Sequence, residues 1–282
     1  MNNETTIKLN NGYEIPIIGY GTFQAFDHEV EKGVKYALLN GYNMIDTAAI
    51  YENEIEVGIG IKNSARTREE IYVTTKLWND YRGYYFTKVA LNESLQRLDL
   101  DYIDLYLIHW PNPKSFRHNW QEMNAESWRA MEDMVTEGKI KSIGVSNFEI
   151  HHLKELEKTA KIMPAVNQVR LIPGAFKPEL VEYCKEKGIV LEAYSPFGQG
   201  ALLDHPIIMN IAEKYNKTTA QICLRWSIQK GFIPLPKSVH EIRIKSNIEI
   251  FDFNLSTEEM HQLDTIEVDT HDNSNNPDII DF

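Results

Sequence analysis

Eight short runs of aliphatic and β-branched residues, each followed by a longer stretch with helical periodicity, constrain this chain more than any other feature. The runs are IPIIGYG, YNMID, IYVTTKLW, YIDLYLIHW, IKSIGVSNF, PAVNQV, IVLEAYSP and FIPLPKS. Most are nearly continuous in apolar character, so both faces need cover, as in a parallel sheet layered with helices. Eight such units within 282 residues point to a closed (β/α)8 TIM barrel rather than an open doubly wound sheet. Helices are expected over 28–40, 53–63, 84–98, 122–137, 149–160, 178–187, 206–215, 218–230 and 239–249, with an extra one at 256–267. Several end in a suitable signal, such as Asn40-Gly41, Glu137-Gly138 and Lys187-Gly188. Ahead of the first unit, TIKLNNGYEIP places Asn11-Gly12 between two alternating runs and predicts a type I′ hairpin. The tail THDNSNNPDIIDF, polar and then apolar, is expected to fold over the barrel mouth. No linker composition divides the chain, so residues 1–282 read as one domain.

Charge narrows the partners. A formal net charge of -12 disfavours nucleic acid, which is held by clustered Lys and Arg, and leaves a small molecule as the expected ligand. Cys184 and Cys223 stand far apart with no CxxC, which suggests neither a disulfide framework nor a zinc site. MNNETTIKLN has no basic or apolar leader character, and no run of eighteen apolar residues occurs, so a cytoplasmic protein with no membrane partner is expected. No exposed apolar stripe demands an oligomer, and a monomer is expected.

Barrels place function where strands end. Those positions read Thr22 and Phe23; Asp46 and Tyr51; Lys76 and Trp78; His109 and Trp110; Ser146 and Asn147; Gln168; Tyr194 and Ser195; Lys237 and Ser238. Asp46, Tyr51, Lys76 and His109 fall on three successive units and can converge. Lys76, near the pocket floor, needs an acid, and Asp46 is the nearest. An ammonium beside a phenol favours phenolate, so Tyr51 is expected below its usual pKa of about 10 and usable as a proton donor. His109 would orient a substrate oxygen. Each residue taken singly also fits a bland role: a turn aspartate, a packed tyrosine, a snorkelling lysine, a core histidine. The four types at matched strand ends favour the catalytic set.

Near the C-terminus, PLPKSVHEIRIKSN supplies Lys237, Ser238 and Arg243, with Ser238 and Glu241 spaced as a capping box for a helix from about Val239. Arg243 and Asn247 share a face of that helix. A helix start ringed by Lys, Ser and Arg suits a phosphate, which TIM barrels often bind after strands seven and eight. GYGTFQ is a weak match to a dinucleotide-binding glycine motif, because Gln24 replaces the third glycine. His151 and His152 are adjacent and not expected to share a helix face, so no metal is expected.

Taken together, MIDTAAIYENE, TTKLW, YIDLYLIHWP, IKSIGVSNF, VNQV, AYSPFG and PLPKSVHEIRIKSN resemble the aldo-keto reductase family in order and spacing over nearly the whole chain. The tail NPDIIDF resembles the short bacterial branch that includes 2,5-diketo-gluconate reductases. The resemblance implies a (β/α)8 barrel that binds NADPH in extended form and reduces aldehydes and ketones. It implies Tyr51 as proton donor, Asp46 and Lys76 as the pair tuning it, and His109 as the carbonyl-orienting group. It further implies that Ser146, Asn147 and Gln168 hold the nicotinamide amide and that Tyr194 stacks on the ring. Thr22, Asp46, Ser195, Phe197 and Gln199 match other cofactor-lining positions, and Lys237, Ser238, Val239, Arg243 and Asn247 match the 2′-phosphate and adenine end. Phe23, Ile50, Trp78 and Trp110, with His109, are the expected substrate walls. Two departures stand out: Arg170-Leu171-Ile172-Pro173-Gly174 where many members read Glu-Leu-His-Pro-Tyr, and Phe23 where Trp is frequent. The alternatives are a non-enzymatic NADP(H)-binding sensor or channel-associated subunit on the same fold, and a lyase using Lys76 as a Schiff base.

Overall fold

The computed structural model describes residues 5–268 and 276–282. It opens with an antiparallel hairpin of β1 (Thr6–Lys8) and β2 (Glu14–Pro16), in which Ile7 faces Ile15 and Lys8 faces Glu14. That register corrects the expected turn by one position. The Leu9 N–H donates to Tyr13 O and the Gly12 N–H to Leu9 O, leaving a loop over 10–12 closed by Gly12 at φ 91°. An Asn-Gly pair serves the three-residue loop, with its glycine at positive φ, as readily as the two-residue turn.

Eight parallel strands follow: β3 (Tyr20–Gly21), β4 (Met44–Asp46), β5 (Tyr72–Leu77), β6 (Ile103–Ile108), β7 (Ile140–Ser146), β8 (Val166–Arg170), β9 (Val190–Tyr194) and β10 (Ile233–Leu235). They pair in chain order from β3 to β10. The barrel closes through the Gly19 N–H donating to Pro234 O and the Gly21 N–H to Pro236 O, at 3.1 and 3.0 Å. A Cβ on residue 19 would lie 2.7 Å from a Leu235 methyl and 3.1 Å from Met44, so a side chain there would have to displace residues that fill the barrel.

The outer ring contains α1 (His28–Leu39), α2 (Glu54–Lys62), α3 (Tyr84–Leu98), α4 (Trp120–Thr136), α5 (Ile150–Leu156), α6 (Pro178–Glu186), α7 (Pro206–Tyr215), α8 (Thr219–Gln229), α9 (Glu241–Ile248) and α10 (Thr257–Asp264). The expected capping box at Ser238 is corrected: α9 begins at Glu241, and the Ser238 hydroxyl accepts from the His240 N–H inside the preceding loop. A serine that bonds two residues ahead competes with capping three ahead. Capping boxes do form where Thr218 meets Gln221 and Ser256 meets Glu259.

One apolar layer lies between sheet and helices. A second fills the barrel, where Met44, Leu105, Leu107, Val166, Ile233 and Leu235 meet Leu9 and Ile15 from the hairpin region. The hairpin therefore plugs the N-terminal end, and the polar side chains at the strand C-termini rest on a dry floor. From the C-terminal segment, Phe282 accepts from the Lys114 N–H at 3.1 Å, and its ring lies 5.7 Å from that of Trp78 and 5.2 Å from that of Trp110. The end of the tail thus reaches the mouth, while residues 269–275 lie outside the described residues.

Candidate active site

The four titratable groups meet. β4 ends at Asp46, and a short turn at Ala49–Tyr51 brings the phenol back over the strand ends. That turn is fixed from below: Thr47 Oγ1 donates to Asn53 Oδ1, and Asn53 Nδ2 reaches Thr22 O and Ala25 O. Lys76, wholly buried on β5, donates to Asp46 Oδ1 at 2.7 Å and Thr47 O at 2.8 Å, and its Nζ lies 3.4 Å from the Tyr51 hydroxyl. His109 follows β6, with its ring 6.0 Å from that of Tyr51 and 5.3 Å from that of Trp78. Phe23 lies 5.0 Å from the Tyr51 ring, and Trp110 stacks beside His109. Ile50 lies within the Tyr51 turn, partly exposed.

Burial reverses one expectation. Desolvation raises the Tyr51 phenol above its ordinary range, and the Lys76 ammonium pulls against it without overcoming it. Tyr51 is therefore held protonated at neutral pH, the form a proton donor needs. Burial also lowers Lys76, but the Asp46 carboxylate and Tyr51 outweigh that loss, so the amine stays charged and is a poor Schiff-base nucleophile. His109 is driven well below its usual pKa by burial, then by Lys76 and Arg82, and is neutral. Its Nδ1 is buried without a partner among the described residues; a buried lone pair costs less than an orphaned N–H, which leaves the proton on Nε2.

A second group adjoins these four. The Ser146 hydroxyl donates to Gln168 O, Asn147 Nδ2 donates to His109 O and Ser146 Oγ, and the Tyr194 hydroxyl donates to Asn147 Oδ1. Asn147 holds a left-handed φ of 62°, which asparagine tolerates better than most residues. Thr22 is buried with its hydroxyl on Asp46 O, while Ser195, Phe197 and Gln199 occupy the loop after β9, Gln199 exposed. At the far end, Lys237 Nζ contacts Gln24 O at 2.7 Å, and Ser238 and Asn247 are buried. Val239 is half-buried and Arg243 exposed.

Sequence reasoning missed several neighbours. Arg82 is buried beneath Trp110, donating to Trp110 O and Asn124 Oδ1. Glu192, inside the barrel, accepts from Gln168 Nε2 at 2.8 Å. The expectation for His151 and His152 is also corrected, because both rings reach Asp278, at 3.2 and 3.0 Å. His152 Nδ1 already accepts the Glu149 N–H, so Nε2 carries the proton that meets Asp278. That tautomer suits a hydrogen bond to the tail; coordination through Nε2 would need that nitrogen unprotonated and would move the proton to Nδ1, against the Glu149 N–H.

A (β/α)8 barrel with a buried Asp–Lys pair under a phenol and a neutral imidazole at its mouth has its polar cluster at the strand C-termini, where barrel enzymes carry their active sites. The aldo/keto reductase family model matches residues 17–268, and the chain belongs to that family of oxidoreductases. It is 50% identical over 265 residues to a glyoxal reductase of Bacillus subtilis, covering 94% of this chain and 93% of that protein. Among solved structures, an aldo/keto reductase from Brucella melitensis superposes with a TM-score of 0.86 at 44% identity, covering 92% of this chain and 98% of the other. A Bombyx mori aldo-keto reductase in complex with NADP gives 0.85 at 38% identity, covering 96% and 98%. Among the described residues no helix is long and apolar enough to cross a membrane.

Proposed function

We propose that this chain reduces small aldehydes, ketones and dicarbonyls to alcohols with NADPH, using Tyr51 as the proton donor. The observation that carries the reading is the fully buried Lys76 ammonium, 2.7 Å from Asp46 and 3.4 Å from the Tyr51 hydroxyl, beside a neutral His109.

The residues present fit such a dinucleotide. Arg243 is exposed and engages no acid among the described residues, in a chain of net charge -12. With Lys237, Ser238, Val239 and Asn247 it would hold the phosphorylated ribose and adenine. Ser146, Asn147 and Gln168 would hold the carboxamide, Tyr194 the ring face, and Thr22, Ser195, Phe197 and Gln199 the connecting portion. Reduced nicotinamide, when bound, supplies the hydride.

The protein supplies the proton and the orientation. Tyr51 gives its hydroxyl proton to the carbonyl oxygen as negative charge builds there, and Lys76 stabilises the phenolate left behind. His109 donates from Nε2 to the same oxygen and fixes its angle. Phe23, Ile50, Trp78 and Trp110 keep water from the reacting carbon. The similarity to a glyoxal reductase makes glyoxal the first substrate to assay.

The test is loss of NADPH absorbance with glyoxal, other aldehydes and keto sugars. Tyr51→Phe should lower turnover by about a hundredfold or more while NADPH still quenches tryptophan fluorescence. A Tyr51→Phe protein with unchanged turnover would remove the assigned role.

A further inference from the structure

The barrel interior holds one more acid than this chemistry uses. Glu192, wholly buried on β9, stands opposite Gln168 in the β8–β9 register. Gln168 Nε2 donates to Glu192 Oε2 and to Asp46 Oδ2, each at 2.8 Å, and Asp46 Oδ1 accepts from Lys76 at 2.7 Å. An unbroken polar chain, Glu192 to Gln168 to Asp46 to Lys76, therefore crosses the barrel just below its mouth.

A primary amide has two N–H donors on one side and a carbonyl acceptor on the other. With both donors engaged by acid oxygens, only one orientation of the Gln168 amide is favourable. Flipping it would set its carbonyl against two carboxyl groups and leave its N–H donors without acid partners. Its Oε1 accepts no hydrogen bond among the described residues.

We propose that Glu192 is a positioning residue for the nicotinamide end of the cofactor site, acting with Asp46 to hold the Gln168 nitrogen inward and leave its carbonyl oxygen to accept from the carboxamide. The inference rests on the NADPH reading above. Burial, then the neighbouring Asp46 carboxylate, pushes Glu192 up to about 8. The shift favours the neutral form of Glu192, and Oε2 accepts from Gln168 in either state.

Two ligands separate this role from a structural one. NADPH carries the nicotinamide, whereas 2′,5′-ADP carries only the phosphorylated adenosine end. Tryptophan-fluorescence titrations of Glu192→Leu should find NADPH weakened by about tenfold and 2′,5′-ADP changed by less than about twofold. Glu192→Gln, which keeps an acceptor, should restore NADPH affinity to within about threefold. Combined with Gln168→Ala, Glu192→Leu should add no further loss, because it acts through that amide. Glu192→Met serves if the Leu protein does not fold. Unchanged NADPH affinity in the apolar variants would overturn the proposal, as would equal weakening of both ligands or additive losses in the double variant. An unaltered protein that bound 2′,5′-ADP but not NADPH would also overturn it, while one that bound neither would defeat the cofactor reading itself.

Discussion

At the scale of single residues, the Lys76 ammonium decides the character of the site. It is wholly buried and balanced by Asp46, and it is the main influence opposing the burial that raises the Tyr51 phenol. Lys76→Met would leave Asp46 buried without its cation, a change that typically costs about 3–5 kcal/mol, read as a lower urea midpoint. It should also move the pH profile in a defined direction. If Tyr51 is the proton donor of the proposed reduction, the reverse reaction, alcohol oxidation, needs its phenolate as base; removing the cation raises the phenol further, so the rising limb should shift to higher pH. A limb displaced to lower pH would contradict the assignment. The four groups were legible in the sequence because each stands at or beside a strand end or in the turn after it. Their electrostatic balance was not, since the ammonium is visible in a one-dimensional reading while the desolvation that opposes it depends on packing. Glu192 escaped for a similar reason: IVLEAYSP reads as an apolar run, although its glutamate shares strand parity with Tyr194 and so points into the barrel.

Elements join through contacts distant in sequence, and α5 gives the clearest case. His152, on its first turn, accepts the Glu149 N–H at Nδ1 and meets Asp278 of the C-terminal segment through Nε2, with His151 reaching the same carboxylate. Asn112 Nδ2 also donates to Asp278, so one side chain ties the tail to both α5 and the loop after β6. Burial, then the neighbouring His151, lowers His152 to about 4, with Asp278 opposing them. The sign follows from linkage: the unfolded chain takes up this proton near pH 6.5, the folded protein only near 4, so stability falls as pH drops through that window. The contribution between pH 7 and 5 is about 2 kcal/mol. His152→Asn should make the fall in urea midpoint over that range shallower. A residual slope from His109, also lowered by burial, should persist. Parallel curves for both proteins would show that His152 takes up its proton alike in the folded and unfolded states. Helix positions themselves were largely legible, with 84–98 and 206–215 matching α3 and α7 end to end. The hairpin turn and the starts of α4 and α9 were misplaced, by one position at the turn and by two at each helix; at α9 the Ser238 hydroxyl bonds the His240 N–H instead of capping the helix.

For the whole molecule, the question is how a chain of net charge -12 holds an anionic dinucleotide phosphate. The overall field opposes the ligand, so attraction must be local and shielded by short range. Two cationic side chains, Lys237 and Arg243, lie near where the barrel closes. The β3–β10 seam brings the loop carrying Gln24 against Lys237, and α9 begins four residues later with Arg243 exposed. Barrel closure was legible as eight repeated units. The seam pairing was not, because Gly19 and Pro234 are brought together only by the circuit of the barrel. If Arg243 reads the 2′-phosphate, then Arg243→Ala should weaken NADPH by about tenfold and NADH by much less, since a charge-assisted pair is lost only with the phosphorylated ligand. The same variant should also flatten the salt dependence of NADPH binding, because one screened attraction has been removed. Fluorescence titrations with both cofactors at low and high salt would measure both effects. Equal weakening of NADPH and NADH would place the phosphate elsewhere on the rim and detach the preference for NADPH from α9.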